Sequence, residues 1–129
     1  MMKRKLVTLL ALLAISLTAS TQNTKFVKAY KCITVIGEKE VVQDVKARIV
    51  IDDVANTIVI YEADSSLTFY VKLGELFYDD GYFSRTGSAI AKETGRKLDC
   101  IVDVNEDADV IITLGDDEIG VAYLGYIDE

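Results

Sequence analysis

Histidine, proline and tryptophan are absent from the 129 residues, and cysteine occurs only twice. Without histidine, Ser-His-Asp and Cys-His catalysis and His-ligated zinc are excluded, because these chemistries need an imidazole as base or ligand. Without proline, tight turns rest on Gly, Asn and Asp. Basic residues stop before Asp99, and the remaining segment carries ten carboxylates from Asp99 to Glu129. Residues 21–98, by contrast, hold 11 acids and 11 bases. The excess negative charge therefore sits in the last third. Binding to nucleic acid rests on Lys and Arg neutralising phosphates, so nucleic acid is not an expected partner.

Only one long apolar run occurs, and it lies at the start. Lys3, Arg4 and Lys5 precede residues 6–17, in which Thr8 and Ser16 are the only side chains with polar groups, and Thr18, Ala19 and Ser20 follow. A basic start, an apolar stretch and a small-residue exit are the parts of a secretory signal peptide. The run is shorter than the roughly 20 residues needed to cross a bilayer, and no membrane span is expected. No cysteine follows it to receive a lipid. Cleavage near Ser20 leaves a soluble protein, secreted or periplasmic. Removing the three bases of this segment changes the net charge from −7 to −10. The expected organisation is a signal peptide at 1–20, a flexible lead at 21–25 and one domain at 26–129, a size of about 100 residues that suits a single core.

In an exported chain an even cysteine count favours a bridge, so Cys32 and Cys100 are expected to form a disulfide. Closing a loop of 68 residues in this way is worth roughly 4 kcal/mol in the chain-entropy account.

Alternation of apolar and polar residues with period two recurs along the chain. Leu67, Phe69, Val71 and Leu73 alternate with Thr68, Tyr70 and Lys72, the pattern of a half-buried strand. Residues 48–52 and 57–61 are rich in β-branched side chains around the turn formers of 53–56, which reads as a hairpin. Residues 100–104 and 110–114 read as a second hairpin around a polar tip. Further strands are expected at 26–36, 40–45, 82–86 and 119–127. Residues 88–94 are ambiguous between a strand, which is preferred, and a short helix capped by Ser88 and Gly95. About eight short strands with no βαβ alternation predict an all-β domain, a single antiparallel β-sandwich or small barrel.

Few residues suggest chemistry. Ser88 and Lys92 are close in sequence, but their spacing matches no catalytic pattern. Carboxylates are too numerous for any pair to mark a hydrolase. Asp103, Asn105, Asp107 and Asp109 place oxygen ligands at alternate positions, as a calcium loop does, yet Ala108 stands where the turn wants Gly and Leu114 where a bidentate Glu belongs. A solvated hairpin tip is the simpler reading. An irregular Ca²⁺ site completed by Asp99, Asp116 or Asp117 is the metal-binding alternative. Seven of the eleven aromatic residues fall between Tyr61 and Phe83. Outward tyrosines there, Tyr70, Tyr78 and Tyr82, form a candidate platform for a sugar or peptide.

A strand-rich exported chain resembles the lipocalins in outline, but their Gly-x-Trp signature cannot occur here, and the resemblance carries no residue across. The sequence therefore supports a non-catalytic binding or interaction module for a small molecule, glycan or protein, with no cofactor expected. The alternatives are a structural or assembly protein that pairs through an exposed edge strand, and a carboxylate-dependent hydrolase. A long unpaired edge would favour the assembly reading, and a closed barrel would oppose it.

Overall fold

A computed structural model describes residues 24–128, and the segment read as a signal peptide lies outside the described residues. Nine strands follow in order: β1 (Thr24–Ile36), β2 (Lys39–Asp52), β3 (Thr57–Glu62), β4 (Ser65–Leu73), β5 (Phe77–Asp79), β6 (Tyr82–Ala91), β7 (Lys97–Asn105), β8 (Asp109–Gly115) and β9 (Ile119–Ile127). Each pairs antiparallel with its neighbours, and β1 pairs with β9 while β4 pairs with β6, which closes eight strands into a barrel. β5 is the additional strand. It continues the line of β4 along the same edge of β6 after the step at residues 74–76.

Of the two architectures expected, the barrel is the one formed. The hairpins at 48–61 and 100–114 are present, and β9 spans the residues expected of it. Differences arise where polar residues interrupt the alternation. β2 is one strand of 14 residues rather than two, and β6 runs unbroken through the ambiguous segment to Ala91 before a turn at 92–94. β1 begins at Thr24, which pairs with Asp52, so Thr24 and Lys25, expected in a flexible lead, belong to a strand; residues 21–23 lie outside the described residues.

One face of each of the eight barrel strands points inward. Ile49, Ile58, Ile60, Ile112, Val27 and Val110 are almost wholly buried and fill the lumen. The interior of an eight-stranded barrel is about wide enough for side chains to fill, and branched residues at these positions occupy that space here. Closing so small a barrel demands sharp corners, and two inward-facing glycines supply them. A Cβ on Gly87 of β6 would sit 1.9 Å from the Lys72 carbonyl oxygen, and one on Gly125 of β9 would sit 2.2 Å from that of Lys28. Gly125 lies opposite the irregularity between Ala29 and Lys31, where β1 slips register against both neighbours.

The expected disulfide is absent: Cys32 and Cys100 are both free and buried. Their strands explain why. β1 and β7 are separated by β9 and β8, three strand spacings or about 14 Å around the wall, whereas a bridge needs Cα atoms about 4.4–6.8 Å apart. Both thiols serve as small core side chains, and burial pushes that of Cys100 up to about 11.

Candidate functional site

The lumen leaves little room for a ligand. At the end formed by the β2–β3 and β7–β8 turns lies a cavity of about 40 Å³, walled by Val27, Ile51, Leu73, Val102, Val110 and Ile127. A water needs roughly 10–15 Å³ measured this way, and drug-sized sites run to hundreds, so this space suits a few waters at most. Its mouth is polar. Arg85, an inward position of β6, donates through Nε to the Gly74 carbonyl and through Nη1 to Asp53 Oδ1, both at 3.0 Å. Both charged side chains are largely shielded from solvent. Lys25 also lines the mouth, where burial lowers its pKa and the nearby Asp53 carboxylate opposes that shift. At the other end, the Tyr123 hydroxyl donates to Glu62 Oε1 at 3.3 Å. Burial, with Cys32 and Glu62 alongside, pushes the pKa of that phenol upward.

The tyrosines singled out by sequence do not share one face. Tyr70 points outward from β4 opposite Ile90, and Tyr82 lies eight residues from Ile90 along β6, about 26 Å away at strand spacing. Tyr78 is opposite Phe83 and rests on its ring at a centroid distance of 4.9 Å. Tyr82 is opposite Asp79, one register step from Tyr78, so those two are neighbours along the β5–β6 pair while Tyr70 lies apart from them.

The acidic loop is organised as a turn. Asn105 Oδ1 accepts hydrogen bonds from the amides of Asp107 and Asp109, and its Nδ2 donates to Asp109 Oδ2 at 3.3 Å. Asp103 is engaged from β6 by the Ser84 hydroxyl. Among the described residues no three His, Cys, Asp or Glu side chains converge as metal ligands. Asp99 and Asp116 lie at the opposite end of β7 and β8 from this turn, so the irregular site envisaged with them is not assembled. Asp116 instead takes Arg96 Nε at 2.6 Å and the amides of Glu118 and Ile119. The Arg96 guanidinium, followed by those amides, holds its carboxyl down at about 2.

A wide depression lies on the outside, where the barrel splits. β2 and β3 pair only from Arg48 opposite Tyr61 to Asp52 opposite Thr57. Toward its other end β2 runs on to Lys39, paired with β1 alone, so residues 39–47 present a free backbone edge among the described residues. A groove of about 520 Å³ opens where β3 turns away. Ala29 and Ala47 lie in its floor, while Lys28, Lys46 and Arg48 line it together with Tyr30, Tyr61 and Tyr126. The three tyrosines are 49%, 47% and 44% exposed, high for aromatic rings on a small domain. Tyr126, Lys28, Arg48 and Tyr61 form one register row across β9, β1, β2 and β3. Asp128 balances part of the positive charge, with its carboxylate 3.7 Å from Lys28 Nζ and 3.9 Å from Arg48.

Sequence reasoning reached only Tyr61 among these residues, as a member of the aromatic cluster. The available signal was alternation: Lys28 and Lys46, Arg48 fall on the outward positions of β1 and β2, and Tyr30 sits at the slip in register. Compared with family models, with curated proteins and with solved structures, the chain matches none.

Proposed function

We propose that the protein is an exported, non-catalytic interaction module that receives an extended polypeptide along the open edge of β2. The observation that carries this reading is the edge itself: over nine residues, 39–47, the side of β2 away from β1 has no strand partner among the described residues, a longer free edge than those of β5 or the start of β4. Such an edge offers alternating N–H and C=O groups to an incoming strand, and main-chain hydrogen bonds supply affinity while flanking side chains supply selectivity. The apolar lumen supports the same assignment, because a filled barrel directs binding to the outer surface. The signal-like segment at residues 1–20 supports export.

The test is selection of ten-residue peptides displayed in extended form, followed by hydrogen exchange on the complex. Binders are expected to slow exchange at residues 39–47. Binders that protect another surface, or failure to select any, would refute the reading. Mass determination of the secreted form checks export, with cleavage expected near Ser20.

A second reading rests on the groove side chains. The lining holds three exposed tyrosines and three cations against one carboxylate, Glu62, a set that suits an acidic glycan, whose ring faces stack on aromatics while its carboxylates meet Lys and Arg. Calorimetric titration with acidic and neutral oligosaccharides separates the two, since this reading expects heat only from the acidic ones. It also expects that heat to vanish on replacing Tyr30, Tyr61 and Tyr126 with Ala.

A further inference from the structure

We infer that the strand received by the β2 edge is β2 of a second copy, forming a two-fold dimer whose sheet is continuous through Gln43. This rests on the docking reading above and names the partner.

A two-fold axis normal to the sheet pairs β2 with itself antiparallel and keeps outward side chains beside outward ones. Along the free edge the outward positions are Glu40, Val42, Asp44 and Lys46, and the inward ones are Lys39, Val41, Gln43 and Val45. Centring the axis on Gln43 sets Glu40 of each copy against Lys46 of the other and Val41 against Val45. Opposite charges directly across a strand pair stabilise it, and β-branched pairs do the same on the other face. Sliding the second copy two residues away from its hairpin tip sets Glu40 against Asp44 and shortens the overlap. Sliding it two residues the other way sets Asp44 against Asp44 and drives Glu40 of the second copy against Arg48, where β3 already pairs. A slip of one residue places outward side chains against inward ones and is excluded by the symmetry. One register therefore uses the whole free edge, from Lys39 opposite Ala47 to Ala47 opposite Lys39, without a like-charge pair.

Exposure agrees with this occupant. Val42 is 53% exposed and Val41 39%, and residues 39–44 are exposed on both faces of the strand. The acid at the hairpin tip and the base at its root give the edge a charge order that complements itself only in antiparallel alignment.

Charge exchange tests both the contact and its register. The purified protein is expected to sediment as a dimer at high concentration. Glu40→Lys and Lys46→Glu, each made alone, turn two attractive pairs into two repulsive ones and are expected to weaken association about tenfold or more. The double variant E40K/K46E restores opposite charges and is expected to recover wild-type association. An equimolar mixture of the two single variants is likewise expected to form the mixed dimer. Both positions are solvent-exposed, and circular dichroism verifies that each variant folds. A wild-type protein that stays monomeric at millimolar concentration overturns the proposal, as does a double variant no better than the singles. If that monomer nevertheless binds selected peptides at residues 39–47, self-association falls and the docking function stands; if it binds none there, both fall.

Discussion

Replacing Gly87 with Ala is expected to cost about 3 kcal/mol, an unusual price for one methyl group, and the geometry shows where it arises. The added Cβ would lie 1.9 Å from the Lys72 carbonyl oxygen, 2.8 Å from the Lys72 carbonyl carbon and 2.9 Å from the Leu73 Cα, all backbone atoms of the paired strand. Ordinary contact begins at 3.4 Å, so β4 must retreat from β6 by about 1.5 Å. The displacement falls at the end of the five-pair β4–β6 seam that closes the barrel, on Leu73 opposite Gly87 and Lys72 opposite Ser88. Weakening two ladder hydrogen bonds at about 1 kcal/mol each, together with overpacking of about 1–3 kcal/mol, gives the stated magnitude. Gly120 is the control, because an added Cβ there meets nothing within 4 Å. Gly120→Ala should be neutral or stabilise by up to about 1 kcal/mol through the unfolded chain. Urea unfolding followed by far-ultraviolet circular dichroism measures both, and for a domain of this size 3 kcal/mol corresponds to a fall in Tm of about 12–24 °C. A G87A protein within about 1 kcal/mol of the wild type would refute the argument that this corner sets the barrel closure.

Other consequences are testable in the same way. Gly125→Ala, with its Cβ 2.2 Å from the Lys28 carbonyl oxygen, should destabilise comparably, and a neutral result would show that β1 yields at its irregularity. Both thiols should resist alkylation in the folded protein at pH 8 and react on unfolding; the intact mass should show no loss of two hydrogens. The unfolded Cys100 thiol ionises near 9 and the folded one near 11, so the unfolded chain releases its proton first as pH rises. That contribution to stability is complete below pH 9 and is lost between 9 and 11, and Cys100→Ala should flatten this alkaline slope. Asp53→Ala should destabilise by about 1–3 kcal/mol by leaving Arg85 without its partner, and the double variant with Arg85→Met should recover part of the loss; an additive double variant would refute the coupling. Ala108 holds a φ of 66°, so Ala108→Gly should raise stability by about 0.5–1 kcal/mol in thermal unfolding.

The architecture was legible wherever one side of a strand faces the core, because burial imposes period two on the residues themselves. Leu67 to Leu73 shows this plainly, and its strand matches expectation closely. The failures have distinct physical origins. β5 is three residues long and exposed throughout, so no burial pattern marks it. Cys32 and Cys100 invite a bridge on the expectation of an oxidising compartment, but pairing depends on which strands become neighbours, and strand order places these two three strands apart on the wall. Arg85 went unnoticed because a charged residue in a strand is ordinarily outward, whereas this one closes an open barrel end against Asp53.

The candidate site was illegible for a related reason. Alternation reports whether a strand has a buried face and says nothing about whether both of its edges are paired. Val41 beside Val42, flanked by Glu40 and Gln43, is a break in alternation within an apolar segment; the structure relates it to a strand exposed on both faces. Free edges are hazardous, and proteins commonly blunt them with charge. Blunting needs only charge, in any order and preferably of one sign, so that every incoming strand is repelled. The edge of β2 has a different order, with Glu40 near the tip, Lys46 near the root and Asp44 between. That arrangement disfavours out-of-register self-pairing through Glu40 facing Asp44 or Asp44 facing itself, while one alignment brings acid against base twice. The same charges thus separate a selective edge from a merely protected one, and the double exchange at Glu40 and Lys46 distinguishes them because protection alone gives no reason for two repulsive changes to cancel.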